Sequence, residues 1–541
     1  MISARLLRSD PYILALIFLT IFGFVLRIYD LGSQSLWCDE GYSINAAMAM
    51  LDKGLPILPS GYFYSHGLLN TGLISASMGI FGETEFAARL PSVIFGTLTI
   101  PLVFFFARKI GGKRLALITA FLVTFLAIEI AWSRQARMYQ QLQFFYILSL
   151  YLFYLFMNKR SNKLLVLTII STTCAALSHT FGFSLVLIYV AYLMLTNIKN
   201  LRKYINKKLF RRKQTIIFLL CVALLLALGE VFFHVFSSAW GIKMNYFTRY
   251  TGYLKELLPV ILYMGAVGIL IMLKRDFKVS LLLLLALLIP FYFVCFHVKM
   301  LAMRYLYFIL PVIFIYFAYT VTYVSDTLAR AVTRRGGRTL ESIAEAPAPG
   351  KRKGSALLNK WLSPAFTVII LGLTLHASGF SFVPQSDYYL ETTAPQPDYK
   401  RAYNFINDHL NEGDNIIDTW PVLGSFYLAS PPDFWLAFDI TGTGDVYCMG
   451  DTYSHERYTN IYCIKNTGEL EAAVNAMPGG WLVIDGLAAY RLPQSTIDFI
   501  EQNLTYYEEG SSARANAAGV IAASVIKVYG WNNQSEASED R

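Results

Sequence analysis

The sequence predicts a polytopic α-helical membrane protein that ends in an α/β domain. Three observations predict it: 55% of the 541 residues are hydrophobic, only 15% are charged, and apolar runs of membrane length recur until about residue 380. Soluble chains carry more charge, and crossing about 30 Å of hydrocarbon takes about 20 apolar residues of helix. The net charge of +10 would point a soluble protein towards nucleic acid. Here the basic residues gather in short loops between apolar runs, so membrane orientation accounts for them and no nucleic-acid partner is expected.

Runs suited to spanning fall near 12–29, 91–108, 115–132, 141–157, 164–180, 182–197, 215–236, 255–273, 279–296, 304–324 and 361–380, about eleven crossings. The first superficially resembles a signal peptide, with Arg5 and Arg8 ahead of apolar residues from Tyr12. No small-x-small cleavage site follows, so a retained helix is expected. The long apolar stretch 164–197 is divided at Ser178–Gly182. With the N-terminus cytoplasmic, the basic clusters at 108–114, 159–163, 199–213, 274–278 and 330–360 all fall on one face, as positive-inside charge requires. The expectation is therefore a multi-pass plasma-membrane protein with an extracytoplasmic C-terminal domain.

Residues 325–360 are rich in Gly, Ala, Pro, Ser and basic side chains and read as a flexible cytoplasmic linker. The transmembrane domain is drawn over 1–380, with a first outer loop at 30–90, and the α/β domain over 381–541. In the latter, Tyr399, Ala402, Tyr403, Phe405, Ile406 and Leu410 pattern an amphipathic helix over 398–411. Asn415–Thr419 and Trp481–Asp485 read as strands, with a further helix near 494–503. Cys448 and Cys463 lie in this polar region, where an oxidising compartment would allow a disulfide.

Chemistry-bearing residues concentrate in the outer loops. Asp39 and Glu40 stand just past the first apolar run, near Trp37 and Tyr42, whose rings suit the headgroup layer. Carboxylates at the edge of hydrocarbon are costly and mark a functional candidate. The plainer alternative is that Asp39 only N-caps a helix from Glu40 to about Leu51. The same loop holds His66, Glu83, Glu85 and Arg89. The second outer loop, 129–139, contains Arg134, Arg137 and Tyr139; arginine suits paired hydrogen bonds to phosphate, and snorkelling to headgroups is its alternative. The fifth outer turn adds Lys299, Arg304 and Tyr305, and His179 lies at an outer helix end. Glu230 and His234 share a face of the seventh run at i,i+4, where an internal hydrogen-bonded pair is expected, because two ligands do not close a metal site. Carboxylates and cations converging on one face suggest that a membrane-embedded anion is held while a carboxylate removes a proton. A polyprenyl phosphate carrying a sugar fits that description.

The same residues carry a resemblance. Arg27–Gly32 followed by Leu36–Tyr42 resembles the opening of the membrane glycosyltransferases of the C-type fold, in particular the protein O-mannosyltransferase and lipid A aminoarabinose transferase group. Phe81–Ser92 resembles their entry to the second helix, Ser133–Tyr139 their second outer loop, and Arg304–Tyr305 with Pro311 a later helix start; the likeness covers roughly 10–320. It implies an inverting hexosyl or pentosyl transfer from a polyprenyl-phosphate-linked donor to an acceptor hydroxyl on a glycan, glycolipid or protein, among membrane lipids. Asp39 would act as base beside Glu40, with Arg134, Arg137, Tyr139, Lys299, Arg304, Tyr305, Glu85, His66 and His179 around the donor. Where the family often shows His-Pro-Pro-Leu-Tyr-Tyr, His66 is followed by Gly67-Leu68-Leu69-Asn70. No cofactor is required by these residues; a divalent metal is left open, with no ligand set assigned. The competing classes are a polyprenyl-diphosphate-dependent glycan ligase or polymerase, which needs a larger cationic site, and a lipid or sugar transporter. Transporters commonly show internal repeats, and no repeated half is visible.

Overall fold

The computed structural model describes residues 10–196, 245–298, 301–343, 351–388, 397–437, 448–449, 455–489, 491–513, 515–516, 519–520 and 524–532. The chain divides into two compact units. One comprises Met1–Leu26, Ile94–Ile130 and Met138–Val383; the other comprises Arg27–Val93, Ala131–Arg137 and Pro384–Arg541.

The first unit is helical and apolar, as a polytopic membrane protein requires. Among the described residues, Pro11–Ile28, Glu85–Phe125, Phe277–Phe296 and Tyr307–Thr333 are long and apolar enough to cross a membrane. Phe247–Leu257 and Pro259–Arg275, bent by 110°, make a fifth if taken as one span. Pro259 explains the bend: it lacks an N–H and displaces the residue before it, and Leu258 sits at φ −134°, ψ 50°. Asn162–Ser178, Thr180–Thr196 and Trp361–Ala377 are shorter apolar helices. Tyr139–Lys159 has 21 residues, but its first turns carry the buried Gln140, Gln141 and Gln143. Eleven full-length crossings is therefore more than the described helices show. The expected span at 215–236, with Glu230 and His234, lies outside the described residues.

Local chemistry sets the breaks. Gly111 and Gly112, the latter at φ 86° and ψ −173°, interrupt Glu85–Phe125 between the expected runs 91–108 and 115–132. The second of these ends early: Leu126 bridges to Phe380 and a short helix restarts over Ala127–Ser133. At the expected division near 178–182, a Cβ on Gly182 would collide with the main chain of Ala175, so the close turn there needs glycine. The linker expected at 325–360 is largely helical instead, within Leu310–Ile343 and Lys351–Ala377. A helix already nucleated in apolar sequence extends one residue at a time without a new nucleation cost, and the Ala, Arg and Leu residues that follow favour it.

The second unit is built on a sheet. Its strands are β1 (Asn415–Asp418), β2 (Phe434–Leu436), β3 (Cys448–Met449), β4 (His455–Glu456), β5 (Tyr462–Ile464), β6 (Gly480–Asp485), β7 (Thr505–Ser512), β8 (Ala515–Asn516), β9 (Gly519–Val520) and β10 (Ile526–Trp531). Eight of them run in the order β3-β4-β5-β2-β1-β6-β10-β7, while β8 and β9 pair separately. The centre β5-β2-β1-β6 is parallel and both flanks are antiparallel. Successive side chains leave opposite faces of a strand. Ile416, Trp481, Val483 and Val528 accordingly join one core, and Ile417, Leu482, Ile484 and Tyr529 the other. The expected helices appear as Tyr399–His409 and Gln494–Asn503, the first N-capped by the Asp398 carboxylate.

The first of these cores also takes in Leu36, Ile44 and Ala47, Ile74 and Met78, and Ala87, Ala88 and Ala136. The acidic segment and the sheet thus share one core within this unit, a union that the boundary drawn at 380 did not anticipate. Gly41 permits it. A Cβ there would stand about 3.0 Å from Leu423 and 3.1 Å from the Val422 carbonyl, so helix Cys38–Lys53 packs closely on helix Pro421–Tyr427. Asn45 Nδ2 bonds to the Val422 carbonyl at 2.7 Å.

Asp418 and Asp485 end β1 and β6 as buried carboxylates. The Tyr403 hydroxyl lies 2.9 Å from Asp418, while Tyr399 and the Trp420 indole donate to Asp485 at 2.8 and 2.7 Å. Burial, reinforced by the charge on Asp485, raises the Asp418 pKa to about 7. Between the usual carboxyl value of about 4 and about 7, the folded protein binds more protons than the unfolded chain. The stabilising contribution of this group is therefore complete below about pH 4 and is lost as pH rises through about 7. Asp418→Asn should flatten the fall in thermal stability of the full-length protein between about pH 4 and 7; an unaltered slope would contradict the assignment.

Candidate active site

In the second unit, two adjacent carboxylates meet different surroundings. Asp39 and Glu40 are the second and third residues of helix Cys38–Lys53, whose N-cap is Trp37. The capping carboxylate is Glu40 rather than Asp39: Glu40 Oε2 accepts from the Trp37 N–H at 3.4 Å. Glu40 also accepts Arg89 Nε and Nη2, each at 2.9 Å, and the Ala136 N–H at 2.7 Å. Arg89 extends the clamp to the carbonyls of Leu31, Gln34 and Ser35 at 2.7–3.1 Å. Glu40 is 1% exposed and its ion pair is sealed. Its task is to lock the loop.

Asp39 stands differently. Its side chain keeps 19% of its surface and lies 3.6 Å from Arg137 Nη2. Arg137 Nη1 donates to the Asp39 carbonyl at 2.6 Å, to Ser43 Oγ at 2.7 Å and to the Tyr64 hydroxyl at 3.3 Å. The result is an accessible carboxylate beside a guanidinium oriented by three oxygens. Ser43 and Tyr64 carried no expectation. Ser43 could have been found four residues after Asp39 on one helix face, whereas Tyr64 gives no local signal.

Arg134, expected to hold phosphate, is occupied by main chain. It donates to the carbonyls of Arg27, Tyr29, Asp30 and Ser386 at 2.6–3.3 Å, and its guanidinium lies 5.2 Å from the Tyr388 ring centre. Burial lowers its pKa to about 10, so it remains a cation at neutral pH. The geometry makes it a staple for the turn at 27–30, beside Arg27 Nε on Ser133 at 3.1 Å. Glu85 pairs with Lys400 at 2.8 Å. The His66 ring lies 5.6 Å from the Tyr64 ring. Surrounding chain, then the charges of Arg137 and Arg457, hold its pKa below the usual imidazole value, which favours a neutral ring.

The first unit gathers other expected residues by itself. His179 Nδ1 accepts from the Phe181 N–H at 3.1 Å. Its ring lies 5.7 Å from Tyr139 and 6.2 Å from Tyr305, and Arg304 lies over the Tyr305 ring at 5.5 Å. Lys299 lies outside the described residues. Behind this group is a buried network that sequence reasoning missed. Tyr307 OH is 2.9 Å from Glu129 and 2.5 Å from Gln140, and Gln143 Nε2 reaches Glu129 at 3.2 Å. Three glutamines opening a membrane helix were its available signal. Among the described residues, no three His, Cys, Asp or Glu side chains come together as a metal-binding set. Cys463 is disulfide-bonded; the side chain of Cys448, its expected partner, lies outside the described residues.

The fold, a helical unit with apolar spans and a C-terminal sheet unit, is that of the C-type membrane glycosyltransferases. ArnT from Cupriavidus metallidurans in the apo state is similar over 97% of this chain and 99% of its own, with a TM-score of 0.56 at 14% identity. The same protein bound to undecaprenyl phosphate gives 0.55 at 14% identity, over 98% of this chain and 99% of its own. An oligosaccharyltransferase of Archaeoglobus fulgidus, tethered to an acceptor peptide, gives 0.52 at 13% identity, over 93% of this chain and 74% of its own. At the level of sequence, residues 65–227 match the family model of the dolichyl-phosphate-mannose-protein mannosyltransferases. That match begins after Asp39 and Glu40. A protein of uncharacterised function from Aquifex aeolicus (strain VF5) is 28% identical over 159 residues, which are 28% of this chain and 32% of that one; the match spans about a third of that relative.

Proposed function

We propose that the protein transfers a sugar, with inversion, from a polyprenyl-phosphate donor to an acceptor hydroxyl at the extracytoplasmic face of the plasma membrane. The observation that carries this reading is the accessible Asp39 carboxylate set against Arg137, on a fold shared with a protein solved with undecaprenyl phosphate. Asp39 takes the acceptor hydroxyl proton as the oxygen attacks the anomeric carbon. The bond from that carbon to the phosphate oxygen breaks, and polyprenyl phosphate leaves with the electron pair. Base catalysis of this kind is worth about 10²- to 10⁴-fold. Arg137 is the cation assigned to the phosphate, where preorganised charge stabilises the departing oxyanion; in the first unit, Arg304 keeps its sequence-based expectation of donor binding. An apolar cavity of about 180 Å³ in the first unit suits part of a prenyl tail; Leu306, immediately after Tyr305, lines it with Leu254, Leu262, Ile269, Ile309 and Ile313. The Cys463 disulfide agrees with an oxidising, extracytoplasmic side, and the basic loops of the helical unit agree with a cytoplasmic N-terminus.

Assay of the reconstituted protein with defined polyprenyl-phosphate sugars and candidate glycan, glycolipid and peptide acceptors tests the reading. Arg137→Ala and Arg304→Ala should each weaken donor binding by roughly 10- to 100-fold, the worth of one charge-assisted contact. Unchanged donor affinity in both would remove the phosphate role.

A further inference from the structure

The first unit contains a cavity for which sugar transfer has no use. It holds about 560 Å³, and its lining includes the cations Lys113, Arg114, Arg275 and Arg330 against one carboxylate, Asp326. Two of the cations are matched. Lys113 pairs with Asp10 at 2.7 Å, and Arg114 with Asp326 at 2.9 Å. Among the described residues, no carboxylate stands within ion-pair distance of Arg275 or Arg330. Both are nevertheless held in place. The Arg275 guanidinium lies 4.6 Å from the Tyr323 ring centre, and Arg330 Nε donates to the Asp326 carbonyl at 3.0 Å.

The helix break adds to the positive field. Gly111 lines the cavity, followed by Lys113, Arg114 and Leu115, the first turn after the non-helical Gly111 and Gly112. A helix start carries unsatisfied N–H groups and a partial positive charge. Along helix Leu310–Ile343, the lining residues Tyr319 to Arg330 lie 9 to 20 positions past Leu310. At 1.5 Å per residue that is about 14 to 30 Å from the end near Arg304 and Tyr305. The cavity is thus separate from the donor residues assigned in this unit.

We propose that this cavity binds a phosphate group, carried either by an anionic phospholipid headgroup or by a soluble phosphomonoester. Two orientated guanidinium groups with no matching carboxylate among the described residues suit the forked geometry of phosphate oxygens, and basic pockets between membrane helices commonly take anionic headgroups.

The test uses delipidated full-length protein. Native mass spectrometry follows retention of phosphatidylglycerol against phosphatidylcholine, and calorimetric titration with inorganic phosphate and glycerol 3-phosphate follows the soluble source. The wild type should retain phosphatidylglycerol at least about tenfold better, or bind a soluble phosphate saturably, a preference corresponding to roughly one charge-assisted contact. Arg275→Gln with Arg330→Gln should bring either signal to background. Both side chains are exposed, so the fold should stand; the single variants, each losing part of the signal, serve if the double variant does not fold. Lipid retention without phosphate binding assigns the headgroup, and the converse assigns the soluble ligand. Equal retention of the two lipids without saturable phosphate binding overturns the site, and so does a signal unchanged in the variants.

Discussion

Asp39→Asn should lower turnover by about 10²- to 10⁴-fold, the range of a lost general base, with little change in thermal unfolding or donor affinity. The structure supports the separation of these effects. The Asp39 side chain has solvent access and stands 3.6 Å from Arg137, while Arg137 holds its place through the Asp39 carbonyl, Ser43 and Tyr64, none of which the substitution alters. An amide of nearly equal size keeps the packing and removes the proton acceptor. Turnover should also respond only weakly to raised donor concentration, because the loss lies in the chemical step. Wild-type turnover by the variant in reconstituted membranes would exclude Asp39 as the base. A matching loss of donor affinity would instead place its charge in binding.

The helical class was legible because crossing hydrocarbon demands long apolar runs, and the central strands were legible because Asn415–Asp418 and Gly480–Asp485 are short β-rich blocks. The different fates of Asp39 and Glu40 were not. Adjacent helical residues point about 100° apart, so one of two neighbouring carboxylates turns inward, but only the partner elements decide which. Glu40 finds Arg89 and the Ala136 N–H, 49 and 96 positions away. Arg134 was equally opaque: its acceptors are main-chain carbonyls near residue 30 and at Ser386, and a carbonyl has no sequence signature. The pairing of Glu85 with Lys400 spans 315 positions and depends on the shared core of the second unit. Arginines counted as phosphate ligands by location alone therefore divide, once their acceptors are known, into a structural staple and a candidate binder.

The Glu40–Arg89 clamp sets the largest structural effect. Removing one member of a buried pair leaves the other charge uncompensated, at a cost of about 3–5 kcal/mol. The two sides of this pair are not equivalent. Glu40→Gln keeps an oxygen that can still accept one Arg89 N–H, but it turns an amide donor towards groups that all donate: Arg89, the Ala136 N–H and the Trp37 N–H. Arg89→Met strands the carboxylate and also deprives the carbonyls of Leu31, Gln34 and Ser35 of their shared donor. Arg89→Met should therefore be the more damaging, with little folded protein recovered, and Glu40→Gln should fold with a lowered unfolding temperature. Activity should fall together with stability in both, in contrast to Asp39→Asn, where activity alone falls. Unfolding in detergent, measured beside turnover for all three variants, separates a lock from a base. Wild-type unfolding temperature and yield in Arg89→Met would show that the clamp does not hold the acidic segment in place.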